Sequence, residues 1–354
     1  MAIFRELPVL DGWRELPENV LASAEDRTHM ERPLAPSVAA QVAPVRKPGW
    51  LKIRPPGGEN YLGIKKLLRE RNLHTVCEEA HCPNVAECWA GGTATFMLGG
   101  DTCTRACRFC AIKTARIPPP LDPLEPAKTA ESVAALNLKY VVLTSVDRDD
   151  LADGGAAHFA ETIREIKRRQ PGVIIEALVP DFRGNATSIR TIVDSGLDVY
   201  AHNIETVRRL HYRVRDPRAG YLQSMATLKL AKDYARATGR TLYTKSSIMM
   251  GFGETEQEIL QTAGDLRKHE VDVLTLGQYL RPSLTHLPVE RYWSPEEFES
   301  LKTAAADLGF LYIAGGPMVR SSYKAAEFFI EGVIRKHRSQ MAEPKAGGEA
   351  RNGI

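Results

Sequence analysis

The stretch ATFMLGGDTCTRACRFC, residues 94–110, joins a short apolar run to a loop with three cysteines. The apolar run, ATFMLGG (94–100), predicts a buried β-strand. Cys103, Cys107 and Cys110 follow it, separated by three and two residues. Three thiolates on one tight loop can bind three irons of a [4Fe–4S] cube and leave the fourth iron open to a non-protein ligand. The stretch therefore predicts an iron–sulfur site at the end of a strand.

Structural zinc is the alternative for this loop. Zinc prefers four closed ligands, usually in paired C-x2-C knuckles. The loop holds no histidine, so a fourth donor would have to come from elsewhere in the chain. The spacing therefore favours a cluster over zinc.

Further apolar runs follow the loop at regular intervals. They are KYVVLTSV (139–146), GVIIEALVP (172–180), LDVYAHNIE (197–205), TLYTKSSIMMGFG (241–253) and VDVLTLGQYL (271–280). Helical patterns separate them, which predicts six βα units and an α/β fold with a parallel sheet. The sequence leaves open whether the sheet forms an incomplete barrel or stays flat. In both geometries the functional site lies at the carboxyl ends of the strands, where the cysteine loop begins.

Composition limits the classes of function. A chain of 354 residues with 43% hydrophobic content can bury a large core, as one domain with extensions or as two domains. The net charge of +3 and the lack of a long basic run argue against nucleic acid as a partner. No run of about 18 apolar residues suggests a membrane span. The first residues lack an apolar signal core, so we expect a cytoplasmic location.

The other three cysteines form a second triplet. Cys77, Cys82 and Cys88 lie in CEEAHCPNVAEC, with four and five residues between them. All six cysteines thus fall between residues 77 and 110, too bunched for a disulfide framework, and such clusters more often hold metal. Taken alone, the second triplet is also compatible with a small zinc loop completed by His74 or His81.

The C-x3-C-x2-C loop after the first strand of a βα series resembles the radical S-adenosylmethionine (SAM) superfamily. Within it, the chain resembles the lipoyl synthase family over residues 45–335. The matching motifs are VCEEAHCPNVAECW (76–89), GTATFMLGGDTCTRACRFCAI (92–112), TSVDRDDLADGGA (144–156), PDFRG (180–184), AHNIETV (201–207), YTKSSIMMGFGE (243–254), LTLGQYLRPS (274–283) and VRSSYKA (319–325).

This resemblance implies a partial (β/α)6 radical SAM barrel with an N-terminal cluster-binding extension and a C-terminal helical extension. The implied segments are a flexible arm at 1–45, the auxiliary-cluster-binding extension at 46–92, the radical SAM core at 93–315, a C-terminal segment with the RSSY motif at 316–336, and a disordered tail at 337–354.

The resemblance also implies two [4Fe–4S] clusters and SAM as cofactors. SAM chelates the open iron at the Cys103 loop, and its reductive cleavage gives a 5′-deoxyadenosyl radical that abstracts hydrogen from an unactivated C–H bond. The upstream triplet binds an auxiliary cluster whose fourth iron is held by Ser322, with the adjacent Ser321 as an open alternative. A helix-capping role suits at least one of these serines. The auxiliary cluster supplies the inserted sulfur.

The implied reaction inserts sulfur at C6 and C8 of an octanoyl chain. That chain is carried on a lysine of a lipoyl carrier domain or of the glycine-cleavage carrier protein. An electron donor such as ferredoxin or flavodoxin and an iron–sulfur carrier for cluster rebuilding are implied partners. Two alternatives stay open: another radical SAM enzyme with an auxiliary cluster, such as a methylthiotransferase, and a non-enzymatic zinc module.

Polar residues after two of the predicted strands are candidates for binding SAM. They are Ser145, Asp147 and Arg148 in SVDRDD, and Asn203 and Glu205 in HNIETV. Charges of both signs would complement the amine and carboxylate of SAM, although solvated loops with ion pairs have the same composition. The arginines of HYRVRD (211–216) are further candidates for the SAM carboxylate or for steering the carrier.

Overall fold

The computed structural model describes residues 45–51, 57–80, 82–90, 95–322 and 324–342. The predicted flexible arm lies outside these residues except for position 45, and so does the end of the predicted tail. The first part of that tail differs from the prediction, because a helix continues through residues 337–342.

An eight-stranded sheet organises the described residues. Its strands, in chain order, are β1 His74–Thr75, β2 Thr95–Leu98, β5 Tyr140–Ser145, β6 Ile174–Leu178, β7 Val199–Ala201, β8 Tyr243–Met250, β9 Val273–Gln278 and β10 Tyr312–Gly316, while β3 Thr102–Cys103 and β4 Lys113–Thr114 pair separately. The order across the sheet is β1-β2-β5-β6-β7-β8-β9-β10. Every neighbouring pair is parallel except β1 with β2.

The predicted α/β fold with a parallel, partial barrel is confirmed. All six predicted strands form, as β2 and β5 to β9. The sheet also contains β10, a further parallel strand that the sequence did not predict. Its run YIAGG is mostly half-buried at the edge of the sheet, so it lacks the continuous apolar pattern of the inner strands.

Helices connect the strands, and those before α11 cover the outer face of the sheet. They are α1 Glu59–Glu70, α2 Val76–Glu79, α3 Val85–Ala90, α4 Glu125–Ala135, α5 Ala156–Arg169, α6 Ala186–Val193, α7 His211–Val214, α8 Tyr221–Ala237, α9 Glu256–Lys268, α10 Pro295–Ala306 and α11 Lys324–Ala342. Helices α9 and α10 each begin with a capping box, in which Thr255 or Ser294 pairs with a glutamate three residues on. Among the described residues, no helix has both the length and the apolar character to cross a membrane.

Helix α11 packs on the other face of the sheet. Alternate strand residues point to opposite faces, and Val142, Ile174 and Val273 form a cluster with Ile330 and Ile334 of α11. This cluster is separate from the larger core that the outer helices cover. Helix α11, which follows the RSSY motif (320–323), is therefore anchored against the inner face of the sheet.

A buried ion pair crosses the sheet. Nζ of Lys245 in β8 lies 2.8 Å from both carboxylate oxygens of Glu176 in β6, and the Tyr140 hydroxyl donates to the same carboxylate at 2.6 Å. Because both charges are fully buried, each needs the other, and the pair links strands on either side of β7.

Candidate iron–sulfur sites

The first cysteine loop presents its sulfur atoms to backbone N–H groups. The N–H groups of Arg105 and Asp147 lie 3.4 and 3.3 Å from Cys103 Sγ, and that of Asp216 lies 3.4 Å from Cys107 Sγ. Hydrogen bonds to cysteine sulfur are a recurrent feature of iron–sulfur sites and tune their potentials. The loop therefore has the surroundings that thiolate ligands need.

Burial makes these thiols poor acids on their own. It raises the pKa of Cys107 to about 11 and that of Cys110 to about 12. The pKa of Cys103 is raised further, by burial and then by the neighbouring Asp147 carboxylate. Iron binding must displace these protons. These thiols therefore suit a metal ion, whose positive charge stabilises the thiolate form.

Arg105, inside the cysteine loop, fixes the loop to two strand ends. Its side chain is 2% exposed and donates to both carboxylate oxygens of Asp181 at 2.8 Å. It also donates to Asp149 at 2.8 and 2.9 Å. Asp149 follows β5 and Asp181 follows β6, so one guanidinium sets the loop against neighbouring strands. Sequence reasoning did not assign Arg105, and its position between two of the cysteines was the available signal.

We expect Arg105→Gln to prevent formation of the first iron site. The change leaves buried carboxylates without their cation, and breaking a buried ion pair from one side costs roughly 3–5 kcal/mol. Iron per chain after anaerobic reconstitution and the urea midpoint of unfolding measure the effect. Arg164→Gln is the matched control, because Arg164 is 47% exposed on α5. A variant at Arg105 that keeps full iron content and the parent midpoint would contradict the scaffold role.

A polar cluster after β7 faces the first loop. Asn203 Nδ2 donates to Glu205 at 3.1 Å, and Arg215 donates to Asn203 O at 3.3 Å and to Ser224 Oγ at 2.8 Å. The charge of Arg215 also lowers the pKa of Cys107 against the effect of burial, which places it near that thiol. Asn203 and Glu205, two of the predicted SAM contacts, are thus brought together beside the cysteine loop.

This cluster has unused hydrogen-bonding capacity. Asn203 Oδ1 and Arg215 Nε are buried and have no hydrogen-bond partner among the described residues. An unsatisfied buried polar group costs about 1–3 kcal/mol, so such groups suit a polar ligand. Glu205 also has a φ of 69°, a left-handed conformation that is costly outside glycine and is concentrated at functional sites. These features fit the amino acid part of SAM.

The three predicted SAM contacts after β5 lie in different surroundings. Ser145 ends the strand. Asp147 lies beside Cys103, with its Oδ2 3.8 Å from Sγ and its Oδ1 3.2 Å from Arg105 Nε. Arg148 instead donates to both carboxylate oxygens of Asp150 at 2.8 and 2.7 Å. Arg148 also donates to Gly99 O, just after β2, at 3.4 Å. The geometry thus brings Asp147 to the cysteine loop, and contact of Ser145 or Arg148 with SAM stays a prediction.

The segment between β9 and α10 also contacts the cysteine loop. His286 Nε2 lies 3.0 Å from Cys110 O, and its Nδ1 lies 2.8 Å from Ser283 Oγ. Leu287 N donates to Arg108 O at 3.2 Å. Sequence reasoning missed this contact, and no metal-ligand spacing marks the segment.

The second triplet lies on two short helices and on the segment that joins them. Cys77 lies in α2, Cys88 in α3 and Cys82 between them. Burial, and then the proximity of Cys82, raises the pKa of Cys77 to about 11. A hydrogen bond from the buried side chain of Trp89 to the Cys77 sulfur lowers that pKa. An indole N–H directed at sulfur suits a thiolate ligand.

The serine motif lies next to this triplet. Asn84, between Cys82 and Cys88, donates to Met318 O at 2.7 Å across 234 positions of sequence. The thiol of Cys82 also influences the pKa of Arg320, which burial lowers and Cys82 raises. Ser321 and Ser322 follow directly, in the turn between β10 and α11. The choice between them as iron ligand stays a prediction.

The zinc alternative for the second triplet has limited support. His74 Nδ1 lies 3.4 Å from Glu79, and His81 falls outside the described residues. No three His, Cys, Asp or Glu side chains among the described residues converge on one ion position. A cube does not need them to, because each cysteine binds a different iron.

Comparisons with known proteins give the family. The profile of the Radical SAM superfamily matches residues 97–266, and that of the N-terminal domain of lipoyl synthase matches residues 19–82. A mitochondrial lipoyl synthase of Culex quinquefasciatus is 53% identical, covering 94% of this chain and 87% of its own length. That of Vitis vinifera is 52% identical, covering 91% and 86%. A chloroplastic lipoyl synthase of Chlamydomonas reinhardtii is 52% identical, covering 90% and 75%.

These relatives overturn the predicted cytoplasmic location. They are named as mitochondrial or chloroplastic proteins, which points to organelles instead. The prediction rested on a missing apolar signal core, which argues against secretion alone. Organelle transit peptides are amphipathic and rich in arginine rather than apolar, so that test does not detect them.

Proposed function

Because this chain belongs to the lipoyl synthase family of radical SAM enzymes, we propose that it inserts sulfur at C6 and C8 of an octanoyl chain carried on a protein lysine. The observation that carries the proposal is the pairing of two separate thiol triplets, one beside a polar cluster and one beside a serine turn. A zinc module does not account for the first triplet and the polar cluster beside it. A methylthiotransferase would also have two clusters, but the similarity over most of the chain is to lipoyl synthases.

The first site makes the reaction possible. A [4Fe–4S] cluster with SAM supplies, when bound, a radical able to attack unactivated C–H bonds, for which general acid–base catalysis is too weak. Cys103, Cys107 and Cys110 would hold three irons. Glu205 would orient the amine of SAM, and Arg215 its carboxylate, because each carries the complementary charge beside the cysteine loop.

The second site provides the sulfur. Cys77, Cys82 and Cys88 would hold the auxiliary [4Fe–4S] cluster, with Ser322 or Ser321 on the remaining iron. Oxygen is a weaker ligand than thiolate for a soft iron–sulfur site. A weak fourth ligand suits a cluster that is consumed as the sulfur donor.

Lipoyl carrier domains are the protein substrates of this family. For this chain we propose an octanoylated lipoyl domain or the glycine-cleavage carrier protein, a ferredoxin or flavodoxin as electron donor, and an iron–sulfur carrier that rebuilds the auxiliary cluster. Lys113, Arg116 and the 84%-exposed Ile117 lie just after the first cysteine loop. A basic, apolar surface there suits an acidic reductant.

The test is anaerobic turnover of an octanoyl-lysine peptide with SAM and a reductant. We expect the product to gain two sulfur atoms, with one 5′-deoxyadenosine released for each, as read by mass spectrometry. A hexanoyl-lysine peptide is the control, because it lacks C8 and cannot take the second sulfur. Transfer of a methylthio group would favour the methylthiotransferase alternative, and colourless protein with zinc would favour the scaffold alternative.

A further inference from the structure

Asn84 belongs to two parts of the second site at once. Its carbonyl oxygen accepts a hydrogen bond from Cys88 N at 2.9 Å, so it begins the helix that carries Cys88. Its side chain, 5% exposed, donates to Met318 O at 2.7 Å in the turn before the serines. One residue therefore links the cysteine segment to the serine segment.

The topology of the sheet explains why such a link is needed. Strands β1 and β10 are the two edges of the sheet, each paired with a neighbour on one side in the described structure. The cysteines of the second triplet follow β1, and the serines follow β10. The second site is thus assembled from opposite edges, and its geometry depends on contacts between loops rather than on strand pairing.

The turn that receives Asn84 is itself well fixed. Arg320 Nη1 donates to Val319 O at 2.7 Å and to Pro317 O at 3.4 Å, and Asn84 donates to Met318 O between them. Three consecutive carbonyl oxygens thus accept hydrogen bonds from side chains. Gly277 in β9 packs directly against the turn, and a Cβ there would lie 2.2 Å from Val319 O. A turn held this way offers Met318 O at a defined position.

We propose that Asn84 is a positioning residue that holds the serine turn, residues 317–322, in place beside Cys82 and Cys88. The inference rests on the proposed function, because it concerns the oxygen ligand of the auxiliary cluster. Without the Asn84 amide, the three thiols still bind a cube, but the serine oxygen no longer reaches the fourth iron. That iron is then open to small exogenous ligands.

The experiment uses the full chain with Cys103, Cys107 and Cys110 replaced by alanine, so that all iron belongs to the second site. Asn84→Asp keeps the size of the side chain and removes the N–H donor. Gln261→Glu makes the same amide-to-acid change at an exposed position of α9. Each reduced protein is examined by electron paramagnetic resonance before and after cyanide is added, and its iron content is measured.

We expect cyanide to leave the spectrum of the parent and of Gln261→Glu unchanged, and to shift that of Asn84→Asp at equal iron content. A closed fourth site in Asn84→Asp overturns the role of Asn84 and leaves the proposed function standing. A parent that binds no four-iron cluster overturns both.

Amide hydrogen exchange of the metal-free chains decides the case in which Asn84→Asp binds no iron. Loss of one hydrogen bond is expected to speed exchange in residues 317–322 roughly two- to tenfold, with other segments unchanged. That local increase supports the positioning role. Unchanged exchange in the turn, or faster exchange throughout the chain, overturns it.

Discussion

Replacing Cys103, Cys107 and Cys110 together with alanine is expected to abolish SAM cleavage and to lower the iron content from about eight to about four per chain. Two of these thiols, Cys103 and Cys107, are the sulfur atoms toward which the backbone N–H groups of Arg105, Asp147 and Asp216 point. Without them the open iron that would chelate SAM has no protein support. Anaerobic assays of 5′-deoxyadenosine and of iron on the same sample measure both effects.

The variant should remain folded. The bonds from Arg105 to Asp149 and Asp181 do not involve the sulfurs, so the loop keeps its attachment to β5 and β6. A urea midpoint close to that of the parent checks this point. If SAM cleavage continues at the parent rate, or if iron stays near its original content, the assignment of this loop is wrong.

Most of the fold could be predicted from the sequence, because its inner strands are buried on both faces. A strand such as Tyr140–Ser145 is almost continuously buried, and its sequence is correspondingly apolar. Edge strand β10 is half-buried and ends in two glycines, so it carries no such signal. The end of α11 was assigned to the tail because its composition is polar, yet Arg338 donates to Gly172 O beneath the sheet.

The cysteine ligands could be predicted from the sequence, because the cysteines of each triplet lie close together along the chain. The residues that hold them in place were not, since their partners are remote in sequence: Arg105 bonds a residue 76 positions away, His286 one 176 away and Asn84 one 234 away. Arg148 illustrates what composition leaves open: its guanidinium pairs with Asp150 and donates to Gly99 O, and its contact with SAM stays a prediction. Composition identifies a charge but not the direction in which its side chain points.

Replacing Cys77, Cys82 and Cys88 with alanine is expected to separate the two half-reactions. The first loop forms its hydrogen bonds with residues that follow β5, β6 and β7, so its cluster and the cleavage of SAM should persist. Sulfur insertion should fall below detection, because its source is gone. Quantifying 5′-deoxyadenosine and lipoyl peptide in one reaction shows the separation directly.

The control for this variant is Glu87→Ala, on the exposed side of α3 between two of the cysteines. It should retain both activities, which shows that the helix tolerates alanine.

Only Cys77 of the triplet is fully buried, at 7% exposure, and loss of its sulfur should cost about 1 kcal/mol of stability. Iron near four per chain is then expected, with the brown colour of a remaining cube. If the triple variant still makes lipoyl peptide, the inserted sulfur comes from another source, and the second triplet has a structural role.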